Sequence, residues 1–329
     1  LRKTFWPDDL AIFYPFPTFI PVWHVIGAFL LIIVVTFVVL VLVRRRPYLF
    51  VGWSVYFVTL LPVIGIVQVG NHAMADRYTY LPLIGVGIML AWGVPMLFQK
   101  KASPKIILIS SGVIFLVLLG ILTWKQCSYW QNDKAIFSHA LKVTHDNYLA
   151  HFCLGIALDK EGKNDEAISH CQKAIYIKSN YADGYNCIGA VYYKLGRYEK
   201  ALENCKIAIT LRPDHAESYY YEGLTYHRLK RFDGAVESYN QAIARQPDRA
   251  DFYTARGNSH GELHQYKKAM LDFNRSIILK PDYADAYNGR GALHINNGQQ
   301  DIGCGDLHKA CAYGNCDILR EAKKKGYCR

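Results

Sequence analysis

Acidic residues are nearly absent from the first 145 positions of this chain: Asp8, Asp9, Asp76 and Asp133 stand against twelve lysines and arginines. A stretch so poor in solvated carboxylates cannot dress an ordinary globular surface. No Cys-x-x-Cys pair occurs among the nine cysteines, so the paired-ligand spacing of structural zinc is missing and no metal is expected. There is no HExxH, no glycine-rich phosphate loop and no arguable Ser-His-Asp arrangement. Metalloprotease, nucleotide-cradling and serine-hydrolase chemistry are therefore without support, and no cofactor is implied. An initiator methionine and a signal-peptide pattern are lacking too, and the aromatic, proline-bearing start at Leu1 reads as the interior of a longer membrane protein. The positive balance is uneven: residues 146–329 carry 26 basic against 23 acidic side chains, so the excess belongs to the apolar first part. Charge placed that way fixes membrane topology and gives no case for nucleic acid.

Four apolar stretches fill that first part, at about 18–43, 48–69, 79–98 and 106–124. Each has about the 20 residues a helix needs to cross a bilayer core. Arg44, Arg45 and Arg46 follow the first, and Lys100, Lys101 and Lys105 separate the third from the fourth. The positive-inside rule places both loops in the cytoplasm, and the loop 71–78 and everything after Trp124 outside. Trp6, Trp23, Trp124, Tyr129 and Trp130 cluster at the outer ends, where amphipathic rings favour the interface.

What the second half has is a period of 34. Glycine recurs at Gly155, Gly189, Gly223, Gly257 and Gly291, and alanine twelve residues later at Ala167, Ala201, Ala235 and Ala269. Small residues at two fixed places predict stacked helix-turn-helix repeats in which two helices cross closely. With each glycine at position eight, copies start at Tyr148, Ala182, Ala216, Ala250 and Ala284, and Pro213, Pro247 and Pro281 close three of them. The fifth copy has Gly303 where alanine is expected and runs into a short cysteine-bearing helix at about 316–325. The expected fold is all-α: four transmembrane helices in 1–125, a helical lead-in over 126–147, about five repeats over 148–314, and a cap over 315–329.

With Tyr192 and Tyr226 at position eleven and the turn Leu195-Gly196-Arg197-Tyr198, the repeat resembles the tetratricopeptide repeat. A wider resemblance rests on Lys3-Thr4-Phe5-Trp6-Pro7, on Asp76-Arg77-Tyr78-Thr79-Tyr80-Leu81-Pro82, and on Tyr129-Trp130-Gln131-Asn132-Asp133. The chain looks like the C-terminal part of bacterial relatives of the transmembrane and tetratricopeptide repeat proteins. That family has the GT-C glycosyltransferase fold, and its animal members are protein O-mannosyltransferases. The resemblance implies protein glycosylation from a lipid-linked sugar. The catalytic acid of such enzymes lies in an earlier loop with no counterpart here, so the chain as given is expected to transfer no sugar alone.

Two sites follow. The loop bearing His72, Asp76, Arg77 and Tyr78 would sit at the mouth of two spans, where Arg77 could hold the phosphate of a polyprenyl-phosphate sugar or simply pair with Asp76 and lipid headgroups. In the repeats, the first helix lines the inner groove through positions two, five, nine, twelve and thirteen. Lys160, Lys194 and Arg228 form a basic row, accompanied by Asn186, Tyr193, Tyr220, His227 and Asn258. Such a groove suits an extended protein or peptide of acidic character, or is a solvated helix face. The acids Asp183, Glu217, Asp251 and Asp285 sit in first turns and favour the helix dipole.

Cys153, Cys171, Cys187 and Cys205 are expected to pack as small apolar residues. Cys304, Cys311, Cys316 and Cys328 crowd the last 26 residues; a hairpin turning near Gly314 would pair Cys311 with Cys316 and Cys304 with Cys328 in an oxidising exterior, while free thiols or zinc remain open. Two functional readings remain: the acceptor-handling end of a membrane glycosyltransferase, or a non-catalytic scaffold recruiting proteins at the outer face of a membrane.

Overall fold

The computed structural model describes residues 22–60, 84–89 and 127–328, with a few isolated positions between 93 and 125. The chain divides into two compact units, Leu1–Ala157 and Leu158–Arg329.

In the first unit, α1 (Val22–Leu42) and α2 (Pro47–Leu60) are joined where Trp53 Nε1 donates to Thr36 Oγ1 at 3.2 Å. Phe29, Leu30, Ile33, Val34 and Phe37 stand exposed on α1, and Arg44 to Arg46 follow its end. The four expected transmembrane helices are not shown. Among the described residues no helix is long and apolar enough to cross a membrane. α2 has only 14 residues, and the third and fourth stretches fall largely outside the described residues. The loop with His72, Asp76, Arg77 and Tyr78 lies outside them entirely. Further along, α3 (Asp133–Val143) starts on Asn132, whose side chain accepts from the Ala135 amide at 2.8 Å. Ala140 packs on Ala150 of α4 (Tyr148–Lys160) with Phe137, Leu141 and Cys153 around them.

The second unit is an α-solenoid of tetratricopeptide repeats. After α5 (Asn164–Ile177) come the pairs α6 (Ala182–Lys194) and α7 (Tyr198–Leu211), α8 (Ala216–Arg228) and α9 (Phe232–Arg245), α10 (Ala250–Glu262) and α11 (Tyr266–Leu279), and α12 (Ala284–Asn296) and α13 (Gln300–Ala312). The short α14 (Asp317–Lys324) closes the end. Within a pair, position twenty-four lies against position eight. A Cβ on Gly223 would stand 2.6 Å from the ring of Tyr239, and one on Gly257 would stand 2.9 Å from the ring of Phe273. Tyr239 is fully buried there, as are the position-twenty alanines 167, 201, 235 and 269. The departure at Gly303 has the same cause: a Cβ would stand 2.7 Å from the Gly291 carbonyl and from Ile295. Each second helix is thereby pressed onto the first along the seam where both have given up side chains.

The turn between paired helices is left-handed at position fifteen of every copy. Glycine takes it at Gly162, Gly196 and Gly298, but Lys230 and His264 adopt φ of 59° and 57°. A side chain in that region costs about 1–2 kcal/mol. Arg256 grips buried Asp272 of its own copy through Nε and Nη2 at 2.9 and 2.6 Å and reaches Asn240 of the preceding copy at 2.7 Å. Arg290 repeats this one copy later, on Asp306 and Asn274. The bond from Arg290 engages Asn274, and the buried Ser276 hydroxyl donates to the Ala250 carbonyl.

Two substitutions test this packing. Lys230→Gly should raise unfolding stability by about 1 kcal/mol by relieving the left-handed turn. Gly223→Ala should lower it by roughly 1–3 kcal/mol, because the Tyr239 ring has no room to give. Thermal melts of the two variants against the parent, followed by far-ultraviolet circular dichroism, must move in opposite directions.

Candidate functional site

In the third to fifth copies, side chains at positions two, five, nine and twelve of the first helices line one groove. At its C-terminal end this deepens into a cavity of about 420 Å³, walled by Tyr220 of α8, by Asp251 and Asn258 of α10, by Asp285 and Asn288 of α12, and by Asn315 and Asp317 at the cap. Tyr283 completes the rim. Pro213, Pro247 and Pro281 break the chain ahead of the third, fourth and fifth copies, so their first helices start afresh in register, and side chains 34 residues apart fall in a row.

Of the expected groove residues, Tyr220, His227 and Asn258 come together in this cavity. Tyr220 stacks on the buried Phe252 ring with centroids 4.8 Å apart, and burial pushes its phenol pKa above the ordinary value. His227 Nδ1 meets Ser259 Oγ at 2.8 Å, and burial lowers its pKa. The basic row is differently employed. Lys194 Nζ lies 2.6 Å from Asp159, and Arg228 Nε donates to the Tyr193 hydroxyl at 3.1 Å. Lys160 is exposed, and Asn186 is half-buried in α6. The row therefore contributes less positive charge than its spacing promises.

The first-turn acids also do more than favour the dipole. Asp183 is bound by Arg212 and stands 3.2 Å from His215 Nε2. Burial acts to raise its pKa, but the bonds from His215 and Arg212 prevail and hold the carboxyl below its usual range. Arg249 bridges two copies, binding Asp251 at 2.7 Å and Glu217 at 3.1 Å. Asp285 accepts from Asn315 Nδ2 at 2.8 Å and, among the described residues, meets no cation. Asp251, Asp285, Tyr283 and Asn288 were missed as groove residues, although position two was already assigned to the groove and could have flagged the acids.

Three disulfides are formed. Cys304–Cys328 and Cys311–Cys316 fasten the cap as the hairpin geometry suggests. Cys171–Cys187 corrects the expectation that both pack as free thiols: it joins position twenty-four of the first copy to position six of the second, with Cα atoms 6.5 Å apart. Cys205 stays a buried thiol, its pKa pushed up by burial, and Cys153 rises to about 11 for the same reason. Among the described residues no cluster of potential metal ligands forms.

Comparison with known proteins agrees on the repeats. Models of the tetratricopeptide repeat match residues 180–248 and 157–196. The chain is 25% identical over 140 residues to protein O-mannosyl-transferase Tmtc2 of Drosophila melanogaster, a match spanning 43% of this chain and 15% of that protein. It is 25% identical over 132 residues to human TMTC2, spanning 40% and 16%. The chain thus covers about a sixth of the length of these curated relatives, and its repeat region is homologous to theirs. Among solved structures it is similar to TTC0263, a thermophilic TPR protein of Thermus thermophilus, with a TM-score of 0.48 and 19% identity over 55% of this chain and 98% of that one. It is also similar to YrrB, described as a TPR protein with an unusual peptide-binding site, with a TM-score of 0.44 and 18% identity over 57% and 97%.

The bridges make a countable prediction. Alkylation of the unfolded, unreduced chain with iodoacetamide should add three adducts by mass spectrometry, at Cys127, Cys153 and Cys205. After reduction all nine cysteines should react. Nine adducts without reduction would mean that the chain matures in a reducing compartment.

Proposed function

We propose that the tetratricopeptide repeats bind an extended segment of a partner protein in their groove, and that the apolar N-terminal region holds this groove at the outer face of a membrane. The observation that carries the reading is the cavity at the groove's C-terminal end, where aromatic walls and buried polar groups converge from three successive copies. Exposed Phe29, Leu30, Ile33, Val34 and Phe37 on α1, with Arg44 to Arg46 behind them, favour membrane association. Three disulfides favour an oxidising exterior.

Homology to the repeat region of the protein O-mannosyl-transferases supports a place in a membrane glycosyltransferase of the GT-C type, in which the groove would present acceptor protein to the transfer site. In that setting His72, Asp76, Arg77 and Tyr78 would stand near a lipid-linked sugar phosphate. The alternative, a scaffold without a catalytic partner, uses the same groove and the same anchor.

The test is retention of the full chain, in detergent micelles, on beads carrying a random decapeptide library. Tyr220→Ala with Asn258→Ala should lower retention roughly tenfold, the scale of losing central anchors of an interface. Tyr176→Ala, on the outer face at 91% exposure, should leave it unchanged. Equal retention of all three chains would remove the groove from the reading.

A further inference from the structure

We infer that the C-terminal end of the groove selects a cationic side chain, arginine before lysine, within the peptide it binds, using Asp285 and Asn288 as acceptors. This rests on the reading of the groove as a peptide site and adds what that site recognises. It also reverses the acidic ligand that a basic row would suggest.

Charge around the cavity is unevenly matched. Arg249 is already divided between Glu217 and Asp251. Asp317 stands 3.6 Å from Arg320 with its side chain 83% exposed, a weak pairing. Asp285 is left with neutral neighbours, the Asn315 amide and the Tyr283 phenol, whose pKa burial and the Asp285 charge together push up to about 12. A carboxylate held in the wall of a cavity by neutral donors has capacity for a charged one.

Asn288 points the same way independently. It lies three residues along α12 from Asp285 and is only 3% exposed. Its Nδ2 leans on the Asn315 carbonyl at 3.5 Å. A carbonyl can only accept, so the nitrogen belongs on that side and Oδ1 on the other. That Oδ1 is buried and has no hydrogen-bond partner among the described residues. An acceptor left in that condition costs about 1–3 kcal/mol, a cost that a bound donor would remove. One unfilled acceptor, Asn288 Oδ1, and one carboxylate with capacity beyond its neutral donors, beside the rings of Tyr220 and Tyr283, call for one flat, multiply donating cation. Guanidinium has five N–H groups in a fixed fork and stacks on aromatic faces; ammonium has three on a strongly hydrated centre.

The full chain in detergent micelles would be titrated into fluorescein-labelled nonapeptides of one glycine-serine sequence that differ at the central residue: arginine, citrulline, lysine or glutamate. Citrulline keeps the shape of arginine and removes the charge. Fluorescence anisotropy should give arginine an affinity about tenfold above citrulline, with lysine between and glutamate weakest. Asp285→Asn should bring arginine down to citrulline. Asp301→Asn, an exposed acid of α13 outside the cavity walls, should leave the affinities for all four peptides unchanged. Equal binding of all four peptides would overturn the cation preference while leaving the peptide groove standing, and binding of none would overturn both. Glutamate bound tightest would return the groove to an acidic ligand.

Discussion

The ring of Tyr239 lies against the bare backbone of Gly223, and the same meeting of position twenty-four with position eight recurs through the array. Interiors pack at the density of organic crystals, so two helices can come this close only where one has no side chain. From that approach follow the tilt of each pair and the stacking of the next pair upon it. The row of positions two, five, nine and twelve then faces a common groove. A groove lining residue is thus placed by a contact on the opposite side of its own helix, and the groove's shape is a property of the seam behind it.

Much of this was legible because it repeats. Five glycines at one spacing specify the close approach, and each helix starts where the period says, since a left-handed turn and a short break leave no freedom to slip. The cap bridges were legible for a similar reason: a hairpin turning at Gly314 folds Cys311 onto Cys316 and Cys304 onto Cys328. What the period hid were relations between unlike positions. Cys171 and Cys187 sit at positions twenty-four and six, ordinary core places in their own copies, and only the rotation of one copy on the next brings them together. Arg249 likewise serves two acids from neighbouring copies. The apolar first part belongs to another case, since hydropathy announces spans that the described residues do not display.

Electrostatics along the groove changes character from one end to the other. In the earlier copies Lys194 and Arg228 are turned to local partners, Asp159 and Tyr193. In the later ones the arginines are drawn into the body of the solenoid, where Arg256 and Arg290 hold the buried carboxylates Asp272 and Asp306. Removing one member of such a pair would strand a charge in a low-dielectric place, so these arginines are committed to structure. What is left on the inner face near the cap is acidic, and a face of that kind turns away an acidic guest as firmly as it admits a basic one.

The covalent bonds are placed at the two ends of the array. One bridge ties the first copy to the second and two tie the last copy to the cap, while the stretch from Ala216 to Asn296 contains none. Repeat arrays fray from their ends, because a terminal copy has only one neighbour to lose. Here the ends are stapled, and a solenoid so fastened behaves like a spring clamped at both tips. Whatever flexing it retains is concentrated in the middle coils, so that a guest entering the groove would change the curvature of the part that embraces it without loosening the array.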